Sequence, residues 1–288
     1  MSGANRIAGK GRLTPAKTVR FSFDNKVLTA VEGDTLASAL IANGIHLTGR
    51  SFKYHRPRGM LSAGPEEPNA LMDVGRDAAR RTPNIRATVQ EVYDGLIAKS
   101  QNRWPSLSFD VGGVNNLASP FFAAGFYYKT FMWPKAAWKK IYEPVIRSAA
   151  GLGVSPSEPD PDHYSNHFVH CDVLVIGGGA TGLSAALAAA HAGAEVILCD
   201  EQPETGGAFH HETDAMVDDM PGWDWAQKVT AELRAMDNVR VLTRTTAFGY
   251  QAQNHVGLVH VLFLVGRQVE VGIGGDAMVL WRAAAADA

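Results

Sequence analysis

Three spaced glycines and a later acid are the residues of this chain best suited to chemistry, and the chemistry is the binding of a dinucleotide. In Gly177-Gly178-Gly179-Ala180-Thr181-Gly182, Gly177 permits a tight turn and Gly179 lets backbone approach a pyrophosphate. Gly182 allows a helix to pack closely on a strand, and the carboxylate of Asp200 can accept hydrogen bonds from both hydroxyls of a ribose. These residues can act together only if regular elements hold them, and the flanking sequence supplies the elements. Residues 172–176 are a short run rich in Val and Ile, as expected of a parallel strand buried on both faces. Residues 183–192 are rich in Ala and Leu and predict a helix, which Gly193 ends. Its first-turn amides and macrodipole would face the diphosphate. Residues 195–199 predict a second strand with Asp200 at its end.

A lone GxGxxG is weak evidence, because glycine-rich turns recur in ordinary loops. Strand, glycines, helix, strand and acid in register are much stronger. A second glycine pair, Gly206-Gly207, resembles the two-dinucleotide flavoproteins, in which that loop folds back over the cofactor. The motif does not by itself choose between NAD and FAD. An acid at the ribose argues against NADP, whose extra phosphate it would repel.

Other candidate chemistry is sparse. His210 and His211 lie near Glu212, Asp214, Asp218 and Asp219, but adjacent histidines do not easily point at one ion and no ligand spacing of a known type occurs, so no metal site is expected. No G-x-S-x-G, no cysteine with a catalytic partner and no paired carboxylates stand out, and catalytic residues stay unassigned. The segment GRSFKYHRPRGMLSAG carries Arg50, Lys53, Arg56 and Arg58 around His55, Phe52 and Tyr54. It reads either as a solvated loop or as a site where Arg and Lys hold a phosphate or a partner's carboxylates.

With 288 residues, 46% hydrophobic and 19% charged, the chain is long enough for two globular domains. A formal charge of -2 offers no bulk case for nucleic acid or membrane partners, and no run approaches the ~18 apolar residues of a membrane span. Residues 1–17 are basic without an apolar core, which argues against a secretory signal and for a disordered arm. The only cysteines, Cys171 and Cys199, fall at opposite ends of neighbouring strands, roughly 15 Å apart at ~3.3 Å per residue, too far for a disulfide. A reducing cytoplasm is the expected compartment.

The fold class expected is α/β with an α+β N-terminal unit. Residues 18–97 show alternating Val19, Phe21 and Phe23, turn chemistry at Asp24-Asn25-Lys26, a second strand, and a helix with Asp34 as N-cap and Asn43-Gly44 as its close. This order resembles the β-grasp domain of plant-type ferredoxins, whose loop after the helix carries C-x4-C-x2-C for a [2Fe-2S] cluster. Here that loop has no cysteine, so a ferredoxin-like domain without an iron-sulfur cluster is expected. Residues 98–165 form an aromatic-rich connector, including Trp104, Phe109, Phe121, Phe126, Tyr127, Tyr128, Trp133 and Tyr142. Its rings are expected to pack on the flanking domains or to line a subunit interface. SPSEPDPD reads as the clearest hinge. Residues 166–258 form a partial Rossmann-like domain, with a helix near 223–236 and further strands of the same sheet at 239–242 and 245–250. Residues 259–288 are an atypical tail.

Together, SFKYHRPRGMLSAGPEEPNALMDV, FFAAGFYYKTFMWP and DVLVIGGGATGLSAALAAAHAGAEVILCDEQPETGG resemble the α subunits of heterotetrameric sarcosine oxidases over residues 18–258. The resemblance implies a CH-NH oxidoreductase complex that oxidises sarcosine with O2 and tetrahydrofolate to glycine, hydrogen peroxide and methylenetetrahydrofolate. It implies beta, gamma and delta partner subunits, an amine-oxidising FAD on the beta subunit and FMN at the interface with it, and an α subunit that binds NAD. Carried over by position, the NAD contacts fall on Gly177, Gly179, Ala180, Thr181, Gly182, Asp200, Glu201, Gln202, Gly207, Ala208 and Ala247. FAD is the alternative occupant. Family α subunits run on to a folate-binding region, which implies that this chain is truncated or frame-shifted and inactive in isolation. A non-catalytic dinucleotide-binding fragment, or a subunit of a related opine oxidase or cyanide synthase, are the alternatives.

Overall fold

The computed structural model describes residues 5–285 apart from 8, 14–16, 118, 123–124, 126–130, 132, 150–152, 166–167, 263–266 and 275–277. The chain divides into two compact units, Met1–Asp160 and Pro161–Ala288, and the architecture is mixed α/β.

In the first unit, β1 (Thr18–Phe23) and β2 (Lys26–Val31) form an antiparallel hairpin. Its tip is Asp24-Asn25, both with positive φ (46° and 67°), the backbone twist a two-residue hairpin requires. Helix α1 (Leu36–Ala42) follows. Its N-cap is Thr35, not Asp34: the Thr35 hydroxyl accepts from Ser38 N at 3.2 Å. Asp34 lies one residue too early for that geometry and instead accepts from Val31 N (2.9 Å) and Ser38 Oγ (2.8 Å). The short β3 (Gly49–Arg50) and β4 (Pro57–Arg58) pair with each other. After them come β5 (Leu71–Gly75), β6 (Arg81–Arg86) and β7 (Leu96–Lys99), giving a five-stranded sheet in the order β2-β1-β7-β5-β6. The β1–β7 pair is parallel. Alternation drives Val19, Phe21 and Phe23 inward, where they meet Leu36, Leu40, Met72 and Leu96 in one apolar core.

Parts of the segment expected to be a disordered arm are held. Arg6 pairs with Asp34 at 2.5 Å, and Asn5 N donates to Ala42 O at 3.0 Å. Beyond β7 the chain makes short helical turns and helix α2 (Glu143–Ala149). Trp104, Phe109, Phe121 and Trp133 stand at least 68% exposed, so these four rings are not packed into the core of the first unit; the expectation for them was packing on the flanking domains or a subunit interface. Short turns between Pro and Gly supply no long amphipathic face to bury them. Phe126, Tyr127 and Tyr128 lie outside the described residues.

In the second unit, β8 (His163–Ser165) and β9 (Phe168–Val169) lead into β10 (Val173–Ile176), helix α3 (Ala180–His191) and β11 (Val196–Cys199). A small ribbon of β12 (Met216–Val217) and β13 (Met220–Pro221) precedes helix α4 (Gly222–Ala235) and β14 (Val239–Leu242). Strands β10, β11 and β14 form a parallel sheet in that order. Leu183, Ala186 and Ala190 of α3 and Trp225, Val229 and Leu233 of α4 share a core with Val196 and Leu198.

β15 (Thr245–Gln251) does not extend this sheet. It pairs antiparallel with β16 (His255–Leu262) in a second sheet that continues through β17 (Arg267–Gly274) and β18 (Met278–Ala285) to β8, with β9 beside β17. Much of the stretch read as an atypical tail is therefore strand. Val256 and Leu258, two residues apart, turn the same way and bury with Cys171, Ile197 and Cys199. Both cysteines are free, and burial pushes the Cys171 thiol up to about 11 and the Cys199 thiol up to about 12. Among the described residues no helix is long and apolar enough to cross a membrane.

Candidate functional site

The glycine turn sits between the carboxyl end of β10 and the first turn of α3, so the short strand and the Ala-rich helix together place Gly177 to Gly182. Gly177 has φ +99°, a backbone that side chains rarely adopt, and donates its N–H to Cys199 O at 2.7 Å. Gly182 is required for a different reason. A Cβ there would lie 1.8 Å from Gly177 O, so helix and turn touch through backbone alone. Gly179 is the N-cap of α3 and provides no side-chain cap, which leaves the first-turn N–H groups of Ala180, Thr181 and Gly182 without an i−4 carbonyl. Those donors, at the positive end of the helix dipole, suit a diphosphate.

Asp200 follows β11 and is 8% exposed. Its backbone is held on both sides, N donating to Leu242 O at 2.9 Å and O accepting from Thr245 N at 2.7 Å. Its carboxylate turns inward: Oδ2 accepts from Gly178 N at 2.5 Å and Oδ1 from Gln202 N at 2.7 Å. Burial raises the Asp200 carboxyl above the ordinary carboxylate range, with the Gln202 and Gly178 N–H groups and the charge of His210 opposing it.

The return loop closes on the turn. Gly206 N donates to Gly178 O at 2.8 Å, and a Cβ on Gly207 (φ +54°) would meet Gly179 Cα at 2.9 Å. Thr205, which sequence reasoning missed, is 1% exposed, bonds Thr230 Oγ1 at 2.6 Å and places Cγ2 where a Gly178 side chain would go. Nothing in its local sequence marks it, since its partner lies on α4. Glu201 and Ala208 are exposed, and Gln202 accepts Arg244 N at 2.9 Å. Ala247, on β15, packs against the cluster holding Cys171, Ile197 and Cys199. The fold thus gathers Gly177 to Gly182, Asp200, Gln202 and Gly207 through direct contacts. His210 donates to Glu204 O and packs on the Trp223 ring. Among the described residues no three or more His, Cys, Asp or Glu side chains gather as a metal site would need.

In the first unit the basic loop is only partly a charged face. Arg50 donates to Leu107 O and His55 O, and His55 Nδ1 meets Asp110 Oδ2 at 2.7 Å, tying the loop to a later turn. Arg56 lies over the Tyr54 ring, and Arg56 and Arg58 are exposed. The next stretch is organised by Glu67, 1% exposed, whose carboxylate accepts from the backbone N–H groups of Leu61, Ser62, Asn69 and Ala70. Burial acts to raise its pKa, and these donors outweigh burial and hold it below the ordinary glutamate range.

Comparison with known families bears on both units. Residues 16–103 match a family of 2Fe-2S iron-sulfur cluster binding domains, and residues 172–263 match a family of FAD dependent oxidoreductases. These matches correct the expected cofactors. The second match points to FAD and not NAD. A glycine turn followed by an acid is a motif suited to the part that both dinucleotides share, so the motif could not make that choice. The first match overturns the exclusion of an iron-sulfur domain, which rested on one loop. Residues 16–103 nevertheless contain no cysteine, so they do not themselves supply the thiolates that hold such a cluster. Neither match describes FMN.

Among solved structures, the fold is similar to L-proline dehydrogenase from P. horikoshii, with TM-score 0.50 and 20% identity over 96% of this chain and 40% of that one. Two curated relatives are each named sarcosine oxidase subunit alpha. The one from Rhizobium meliloti (strain 1021) is 57% identical over 88% of this chain and 26% of its own length. The one from Corynebacterium sp. (strain U-96) is 34% identical over 88% of this chain and 21% of its own length. Through most of its length, then, the chain is a homologue of sarcosine oxidase alpha subunits, and it spans about a quarter or less of those relatives.

Proposed function

We propose that this chain binds FAD through the Gly177 to Gly182 turn and is part of an oxidoreductase subunit of the sarcosine oxidase type. The observation that carries the reading is the uncapped start of α3 closed over by the Gly206-Gly207 loop, within a segment matching FAD dependent oxidoreductases. Ala180, Thr181 and Gly182 would donate to the diphosphate, Gly179 and Gly207 keep the approach free of side chains, and Asp200, Glu201 and Gln202 border the adenosine end. When bound, the flavin supplies a two-electron acceptor. The chain's own residues hold and orient it.

The wider activity proposed is oxidative demethylation of sarcosine with O2 and tetrahydrofolate, carried out with beta, gamma and delta subunits. Amine oxidation is assigned to the partners, because the resemblance to sarcosine oxidase alpha subunits implies that the amine-oxidising FAD belongs to the beta subunit.

Two measurements test this. The purified chain should bind FAD, seen as quenching of flavin fluorescence, and NAD should not displace it; no FAD binding, or its displacement by NAD, would overturn the assignment. Sarcosine-dependent peroxide should require added partner subunits, and its production by the chain alone would remove the division of labour.

A further inference from the structure

The loop that closes over the glycine turn is itself seated on α4. Phe209 packs edge-on against Trp225, with ring centroids 6.2 Å apart, and a Cβ on Gly206 would meet Trp223 Cζ3 at 3.1 Å. Apolar contacts of this kind are non-directional, so they hold the loop down without fixing its position along the helix. Thr205 adds a directed contact. It is 1% exposed, Thr230 is 3% exposed, and their hydroxyl oxygens lie 2.6 Å apart.

The direction of that bond follows from proton counting. Thr230 donates to Ala226 O at 2.7 Å, and a hydroxyl has a single O–H, so the bond between the two threonines runs from Thr205 to Thr230. Thr205 thus hangs on α4 by its one side-chain donor. Its carbon atoms meet the glycine turn: Cγ2 lies 2.8 Å and Cβ 3.1 Å from where a Cβ on Gly178 would be. One residue further on, Gly206 N donates to Gly178 O at 2.8 Å, and after it a Cβ on Gly207 would meet Gly179 Cα at 2.9 Å.

We propose that Thr205 is a positioning residue for the cofactor. Its hydroxyl anchors the return loop to α4 and its methyl spaces that loop from Gly178, so that Gly207 stands against Gly179 beside the first-turn N–H groups of α3. Being buried, Thr205 acts on the ligand only through the loop. This inference rests on FAD being the ligand of the glycine turn.

The test starts from Thr230→Val, a change on the helix and not in the loop. Valine nearly keeps the shape of threonine and removes the acceptor, which leaves the Thr205 O–H buried without a partner. The free chain can escape that cost by lifting the loop into water and the closed site cannot, so FAD affinity should fall roughly tenfold. Adding Thr205→Val removes the stranded O–H, and the double variant should bind FAD within about threefold of wild type. Thr205→Ser keeps the donor and loses the methyl, and the looser spacing should weaken FAD roughly threefold to tenfold. A merely structural role would lower the unfolding midpoint of the free chain and leave the affinity of the folded chain unchanged. Wild-type affinity in either Thr230→Val or Thr205→Ser therefore overturns the proposal, and so do penalties that simply add in the double variant.

Hydrogen exchange at the Gly206 amide reads the seating of the loop without any ligand. It should speed up in Thr230→Val and slow again in the double variant, and equal exchange in all three chains refutes the anchor. Failure of the wild type to bind FAD would sink the reading of the ligand by itself, and the Gly206 amide would still decide whether Thr205 holds the loop. Should Thr230→Val not fold, Thr205→Ser, the milder change, carries both measurements.

Discussion

Replacing Gly182 with alanine tests the tightest contact in the candidate site. The new Cβ would lie 1.8 Å from Gly177 O, 3.0 Å from Gly177 C and 3.4 Å from Val175 Cγ1. A carbon and a carbonyl oxygen settle at about 3.3 Å, so turn and helix must separate by roughly 1.5 Å. Overpacking of this kind costs ~1–3 kcal/mol, and disturbing the Gly177 N–H bond to Cys199 O adds ~1 kcal/mol. The restricted unfolded chain returns ~0.4–1 kcal/mol, so a net loss of about 1–3.5 kcal/mol is expected. Gly193→Ala is the control. It has open space around the added carbon but φ +87°, so it should lose only ~1 kcal/mol of local stability and keep FAD affinity. Native-state hydrogen exchange at the amides of Leu183 and Leu198 reads the second unit by itself, and FAD titration reads the turn. If Gly182→Ala matches Gly193→Ala in both protection and FAD affinity, the backbone contact does not govern the site.

Glu67→Gln should destabilise the first unit by ~1–3 kcal/mol at neutral pH, because an amide presents only one acceptor oxygen to the four backbone donors. Since the folded-state pKa of Glu67 is lowered, its stabilisation is complete above the ordinary glutamate value of about 4.3 and is lost as pH falls through the folded value. Denaturation of wild type and variant should converge toward acid pH, and a gap that stays constant would contradict the assignment. Replacing Arg56 and Arg58 with Ala should weaken assembly with a partner subunit more at low salt than at high, since both are exposed, and chromatography of the mixed subunits would show it. Arg50→Ala should instead destabilise the first unit, because Arg50 is turned to Leu107 O and His55 O, and a melting profile identical to wild type would refute that distinction.

Much of the fold was legible because its signals are local. The Asp24-Asn25 turn, the alternation of Val19, Phe21 and Phe23, and the strand, glycine turn and helix from Val173 to His191 depend on neighbours a few residues apart. Closeness in sequence was enough to place Gly177, Gly179 and Gly182 at one helix end. It was not enough for the direction of the Asp200 carboxylate, which is decided by Gly178 and Gln202, or for the inward Arg50, whose acceptor Leu107 is brought up by a distant turn. Burial and hydrogen bonding choose among such partners only when the chain has closed. Strand β15 shows the same limit. Its alternating residues suit either sheet, and pairing with β16 decided which. The occupant of the glycine turn was illegible for a related reason: its residues address the part that two dinucleotides share, and the distinction came from similarity extending through residues 172–263. Sequence by itself determined where a dinucleotide could bind. Tertiary structure decided which of its groups already carry partners inside the fold, because burial and hydrogen bonding act only between groups that the closed chain brings together.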